Sequence, residues 1–144
     1  RQMCIRDRAY LFKDYQKAYN YCTEAERYKE GVVGMAQMPF HSFLSALIMV
    51  GLFPEVTREE KQVLLTKIDE KIKELQRWGK INPANYQHLA DLAQAEFFRL
   101  SGMNNKAMDL YDASIDAARV ERFLPLRVRP RVRHSARGKV SVPE

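Results

Sequence analysis

NPANYQHLADLAQAEFFRLSGMNNKAMDLYDASIDAA, residues 82–118, is the stretch that decides the fold class. It opens with Asn82-Pro83, an asparagine suited to capping a helix start and a proline at the first helical position, where a missing amide costs nothing. Tyr86, Leu89, Ala93, Phe97 and Leu100 then recur every three or four residues, the period of one α-helical face. Ala90 and Ala95 leave room for a close neighbour. The helix reaches Ser101 and stops at Gly102. After a turn of two or three residues a second run, Asn105 to about Val120, repeats the period, with Ala107, Leu110, Tyr111, Ser114, Ile115 and Ala118 expected to face inward. Helices joined by so short a turn lie antiparallel.

Toward the N-terminus the same period continues. Thr57-Arg-Glu-Glu60 matches a capping box, and Leu64, Ile68, Ile72, Leu75 and Trp78 follow on one face. Asp69 and Lys73 on the other face are spaced for an i,i+4 pair. A helix from about Pro39 to Phe53 presents Phe40, Phe43, Leu44, Leu47, Ile48 and Leu52 and should be the most buried element. Another runs from Tyr15 to Lys29, with Ala18, Tyr19, Cys22, Ala25 and Tyr28 on one face, ending at Gly31. Ala9 to Phe12 read as the last turn of a helix cut off before it.

The two ends differ from this body. Arg1 to Arg8, RQMCIRDR, resemble a translated sequencing-adapter tract of the kind found at the ends of proteins predicted from environmental DNA, and are set apart as a non-native leader. From Pro125 to Glu144, Pro125, Pro130 and Pro143 forbid a continuing helix, and a disordered, possibly out-of-frame basic tail is expected. The body is therefore residues 9–124, incomplete at both ends.

The formal charge of +6 comes from 24 basic and 18 acidic residues. Seven of the basic residues lie from Arg122 onward against one acid, Glu144, so the whole excess sits in the tail. The remaining residues balance at 17 of each sign, and nucleic acid is not expected as a partner. Two cysteines, Cys4 and Cys22, cannot build a disulfide framework, and a reducing, cytoplasmic setting fits. The longest apolar run, Phe43 to Phe53, is about 11 residues, short of the ~20 that span a bilayer, so no membrane is expected as a partner.

Tetratricopeptide repeats place a small residue, a bulky one four later and a small one three after that, so that a second helix nests on the first. Ala18, Cys22 and Ala25 fit that arrangement, as do Ala107, Tyr111 and Ser114. Ala95 stands where the repeat has a glycine, and the early tryptophan is missing. The chain thus resembles an all-α tetratricopeptide-like α-solenoid fragment: antiparallel pairs, about five helices in all. Residues 28–34 (YKEGVVG), 78–96 and 107–118 further resemble the helical region of large bacterial signalling proteins. Those proteins join a serine/threonine-kinase-like domain, an AAA-type ATPase, helical repeats, a GAF domain and a sensor histidine kinase. The ATP sites and the phospho-accepting histidine of that family lie in its other domains. The resemblance therefore implies a scaffold or interaction segment, its partners being other domains of the parent chain or protein and peptide ligands. A free-standing peptide-binding adaptor, with Lys, Arg and Asn on its concave face, is the alternative.

No residue is assigned a catalytic, cofactor-binding or metal-binding role. His41, His88 and His134 are scattered, and no carboxylate or cysteine is expected to cluster with any of them, although His88 and Asp91 on one helix could meet at the surface. The glycines are isolated and form no phosphate loop. Trp78 is expected to pack against a neighbouring helix and Cys22 to be buried and inert. Met35, Met38, Met49, Met103 and Met108 read as dispersed gap-fillers.

Overall fold

The computed structural model describes residues 2–28 and 37–123. They form six helices: α1 (Gln2–Leu11), α2 (Tyr15–Glu26), α3 (Gln37–Leu52), α4 (Arg58–Ile81), α5 (Pro83–Leu100) and α6 (Asn104–Phe123). A 3-10 turn, Phe53–Glu55, follows α3, and no strand occurs among the described residues. The fold is all-α and built of helix pairs.

The local chemistry read from the sequence sets the boundaries. Thr57 Oγ1 accepts from the Glu60 amide at 3.4 Å while Glu60 Oε2 accepts from the Thr57 amide at 2.9 Å, a complete capping box at the start of α4. Glu60, fully exposed, has its pKa lowered by the bonds its carboxylate accepts from the Thr57 amide and then from the Thr57 hydroxyl. Asn82 Oδ1 accepts from the Asn85 amide at 3.4 Å and Pro83 opens α5. Gly102 takes φ 75° after α5, the left-handed conformation in which a Cβ is strained. Between α1 and α2 the same conformation falls on Lys13, at φ 60°, and Asp14 then caps α2 through the Lys17 amide at 3.2 Å.

α1, α3 and α5 neighbour one another in turn, and α2 and α4 each touch the odd-numbered helix before and after them. α3 is accordingly the hub, in contact with α1, α2, α4 and α5. The main core joins Ala46, Met49 and Leu52 of α3, Leu64, Ile68, Ile72 and Leu75 of α4, and Leu89, Ala90 and Ala93 of α5. Ile68 and Leu75 are fully enclosed. A second cluster, Ala9, Ala18, Cys22 and Ile48, fastens α1 and α2 to α3. Small residues are buried on these helices, Ala95 on α5 and Ala107 on α6, and a Cβ on Gly51 would lie 2.5 Å from the Tyr15 ring.

Several expectations shift. Residues 2–8, set apart in the sequence, continue the helix whose last turn was expected at 9–12, and Arg6 is buried within it. α2 ends at Glu26, so Tyr28 lies beyond the helix and is exposed; Lys29 and Gly31 fall outside the described residues. Phe40 is exposed too, because the polar neighbours His41 and Ser42 turn inward instead. On α6, Ile115 and Ala118 point to solvent rather than toward α5. Ala107 and Ser114 alone centre its buried face. The tail, and Val120 to Phe123 as side chains, lie outside what is described.

One segment of the described residues, Met38–Glu55, is long and apolar enough to cross a membrane, and 56% of it is buried inside the protein. Its apolarity is explained by the hub position of α3.

Candidate functional site

Two features of this scaffold could carry function: a groove across the odd-numbered helices and a polar seam that crosses from α1 to α4.

The groove has a cavity volume of about 310 Å³ and is lined by Tyr10 of α1, Tyr15 of α2, Leu47, Val50 and Gly51 of α3, and Leu92, Glu96 and Arg99 of α5. Its floor is aliphatic and its rim is polar. Gly51 lets the Tyr15 ring settle against α3, and the Tyr10 and Tyr15 rings stand 6.0 Å apart at 60°. At the far side Glu96 accepts from the Tyr111 hydroxyl at 2.6 Å and from Arg99 at 2.7 Å. Both tyrosines near this carboxylate are held above the ordinary phenol range, Tyr10 by burial and then by Tyr15 and Glu96, Tyr111 by burial and then by its bond to Glu96. At this rim the Tyr111 hydroxyl and the Arg99 guanidinium are both committed to Glu96. Of the Lys, Arg and Asn expected on a peptide-clamping face, the groove carries Arg99.

The seam was not legible in sequence. His41, 4% exposed, lies between α1 and α2. Arg6 Nη1 stands 2.6 Å from His41 Nδ1, and His41 Nε2 stands 3.2 Å from Glu26 Oε1. A guanidinium can only donate, so Nδ1 must accept, and the ring proton sits on Nε2 and is donated to Glu26. Lys71 of α4 also pairs with Glu26 and stands 3.8 Å from Glu74. Four helices are thereby joined through one polar chain: guanidinium, neutral imidazole, carboxylate and ammonium. Burial, and next the Arg6 charge, push the His41 pKa below the usual histidine range.

The expectation that no carboxylate or cysteine clusters with a histidine is thus corrected. Glu26 meets His41 across 15 residues, and Cys22 lies one turn before Glu26 on the same helix. Ser45 Oγ donates to the His41 carbonyl at 2.7 Å and lies 3.5 Å from Cys22 Sγ. Cysteine, histidine and glutamate together suggest a nucleophilic triad, but the wiring differs from one. Both His41 nitrogens are engaged by Arg6 and Glu26, leaving none to take the thiol proton, and burial raises the Cys22 pKa. Cys22 is buried, as its packing position implies.

His88 and Asp91 do not meet. Asp91 accepts from Gln87 Nε2 at 2.8 Å, while His88 Nδ1 is buried without a hydrogen-bond partner and the His88 carbonyl accepts from Ser114 Oγ at 2.9 Å. His134 and Met35 lie outside the described residues. Trp78 packs edge-on against Tyr86 of α5 at 6.0 Å, the packing role read for it. Met38 and Met49 fill the core, whereas Met108 is exposed. Among the described residues no three of His, Cys, Asp and Glu converge into a set that could hold a metal ion. Compared with protein-family models, curated proteins and solved structures, the chain finds no match in any of the three.

Proposed function

We propose that this chain is a non-catalytic, tetratricopeptide-like α-solenoid segment that scaffolds or connects within a cytoplasmic bacterial signal-transduction protein associated with kinase and ATPase domains. The observation that carries the reading is the layered order of the helices. Each of α2 and α4 lies between two odd-numbered helices, and small residues occupy the close approaches, Ala18 and Cys22 on α2 and Ala107 and Ser114 on α6. Those positions are the ones on which the resemblance to tetratricopeptide repeats rests. Units that contact only their neighbours bend as a chain and offer extended surfaces to partners. The balanced charge of the body fits a segment that meets protein rather than nucleic acid.

The groove across α1, α3 and α5 favours a second reading, a free-standing adaptor that binds peptides. An aliphatic floor with a few fixed polar groups is the usual form of a recognition cleft.

Calorimetric titration of the full chain with ATP and magnesium tests the first reading, which expects no heat of binding. Tight, saturable ATP binding would sink it. Selection of a displayed peptide library on the chain, with Leu92→Glu as the counter-target, separates the two. Peptides that bind the chain and lose the Leu92→Glu variant favour the adaptor; a selection yielding only peptides indifferent to Leu92 disfavours it.

A further inference from the structure

We propose that the cleft where the polar seam reaches α4 binds a small zwitterion with an aliphatic side chain, a free α-amino acid of the leucine type. The cleft has a volume of about 290 Å³ and lies between α2 and α4, with α3 as its floor. That size is at the lower edge of small-molecule clefts, about 300 Å³, and suits a ligand of amino-acid size rather than a nucleotide. Ser45 and Met49 form the floor, one turn apart on α3. Leu47, Val50 and Gly51, which line the groove described above, fall on the opposite side of that helix. The cleft is therefore separate from the groove.

Floor and rim differ in chemistry. Cys22, Ser45 and Met49 are buried. The Ser45 hydroxyl is already committed to the His41 carbonyl at 2.7 Å, and burial raises the Cys22 pKa, which keeps the thiol neutral. The floor is thus left with apolar contact to offer. At the rim Lys71 is engaged by Glu26 and Glu74 and belongs to the seam. Lys67 and Glu70, both exposed, are spaced i,i+3 on α4 and line the same opening, yet they do not pair with each other. Lys67 Nζ is held instead by the Tyr19 hydroxyl at 2.8 Å and stands 5.5 Å from the centre of that ring. An ammonium has three donors, so two remain for a carboxylate. Lys73, the next cation along α4, is taken by Asp69 at 2.6 Å, and Glu70 makes no ion pair among the described residues. One cation and one anion above an apolar floor match the carboxylate, the ammonium and the aliphatic side chain of one α-amino acid. A simple anion would meet Glu70 with like charge, and a simple cation would meet Lys67 in the same way.

Calorimetric titration of the full chain with L-leucine tests this, beside two analogues: isocaproate, which lacks the ammonium, and isoamylamine, which lacks the carboxylate. Leucine should bind saturably with a Kd below about 1 mM, and each analogue about tenfold more weakly or worse. Lys67→Gln and Glu70→Gln should each weaken leucine binding by about tenfold or more, since each removes a hydrogen bond to a charged group. Thr23→Trp, at the exposed rim of the cleft, should block it, whereas Leu92→Glu, in the groove, should leave leucine binding unchanged. Unchanged far-ultraviolet circular dichroism verifies that the variants fold, and the analogue titrations use the unaltered chain. No saturable heat with leucine, either analogue binding as tightly as leucine, or binding indifferent to both Lys67→Gln and Glu70→Gln would each overturn the proposal.

Discussion

The α1–α3 half and the α5–α6 half of this molecule are fastened by different physics. Around α1, α2 and α3 the contact is charged and hydrogen-bonded: Arg6, His41, Glu26 and Lys71 follow one another across four helices. Between α5 and α6 small buried side chains, Ala95 and Ala107, combine with two hydroxyl bonds, Ser114 donating to the His88 carbonyl and Tyr111 to Glu96. A seam of charge specifies partners and responds to protons. The second seam has no histidine hydrogen-bonded through its ring, and its small side chains set the distance between helices. α4 is common to both, since it supplies Lys71 to the first and packs on α5 at the edge of the second.

The widest test of this contrast removes the element shared by both halves. Ile68→Ala opens a cavity in fully enclosed core and should cost about 3–4 kcal/mol of stability, read as a lowered urea midpoint. Both halves should unfold together. Separate transitions for tryptophan fluorescence, which reports Trp78 at the α4–α5 contact, and for exchange of α1 and α2 amides would show that α4 does not couple them.

His41→Ala should come next, at about 2–3 kcal/mol, because a buried guanidinium and a partly buried carboxylate each lose a partner. The same residue makes the first half pH-dependent. Above the ordinary histidine range the imidazole is neutral whether the chain is folded or not, and His41 contributes no pH slope. As pH falls below about 6.5, the unfolded chain takes up a proton that the folded one resists, so stability declines until the lowered folded pKa is reached. The slope from this residue is at most about 1.4 kcal/mol per pH unit. Hydrogen exchange at pH 5 should show α1 and α2 losing protection relative to α5 and α6, and His41→Gln should flatten that part of the stability profile. Equal loss in both halves would erase the distinction.

Ala95→Leu probes the opposite seam. It adds three carbons where helices touch and should destabilise by about 1–3 kcal/mol, with no dependence on pH between 5 and 8. Smallest is the exposed Asp69–Lys73 pair, 2.6 Å apart on the outer face of α4. Asp69→Asn should leave the urea midpoint unmoved within error at physiological salt, since exposed ion pairs are screened and cost side-chain entropy. A clear shift would mean that α4 relies on its surface charges as well as on its core face.

Much of the helix scaffold was legible because its determinants are local. Capping at Thr57 and Asn82, the stop at Gly102 and the core face of α4 each depend on residues within one or two turns. Errors gathered where a face is shared. Phe40, Ile115 and Ala118 lie on apolar stripes by spacing, yet which part of a stripe is covered depends on where the neighbouring helix crosses it, and that is a property of two elements. The polar seam was missed for the same reason. Arg6, Glu26, His41 and Lys71 are 15 to 65 residues apart in pairs that no periodicity links, and Arg6 falls in a stretch that reads as foreign to the body.

The sequence by itself determined that the body from residue 9 onward would be built of helices, where most of them begin and end, and that short turns would pair them, because backbone capping and the 3.6-residue period act over a few residues. Only the tertiary structure decided that α3 is the hub, that His41 is held neutral between a guanidinium and a carboxylate, and that α6 keeps an apolar face outside the core. Those outcomes follow from the stacking of whole helices, whose crossing brings distant charges within hydrogen-bond reach and decides which stripe of each helix is covered.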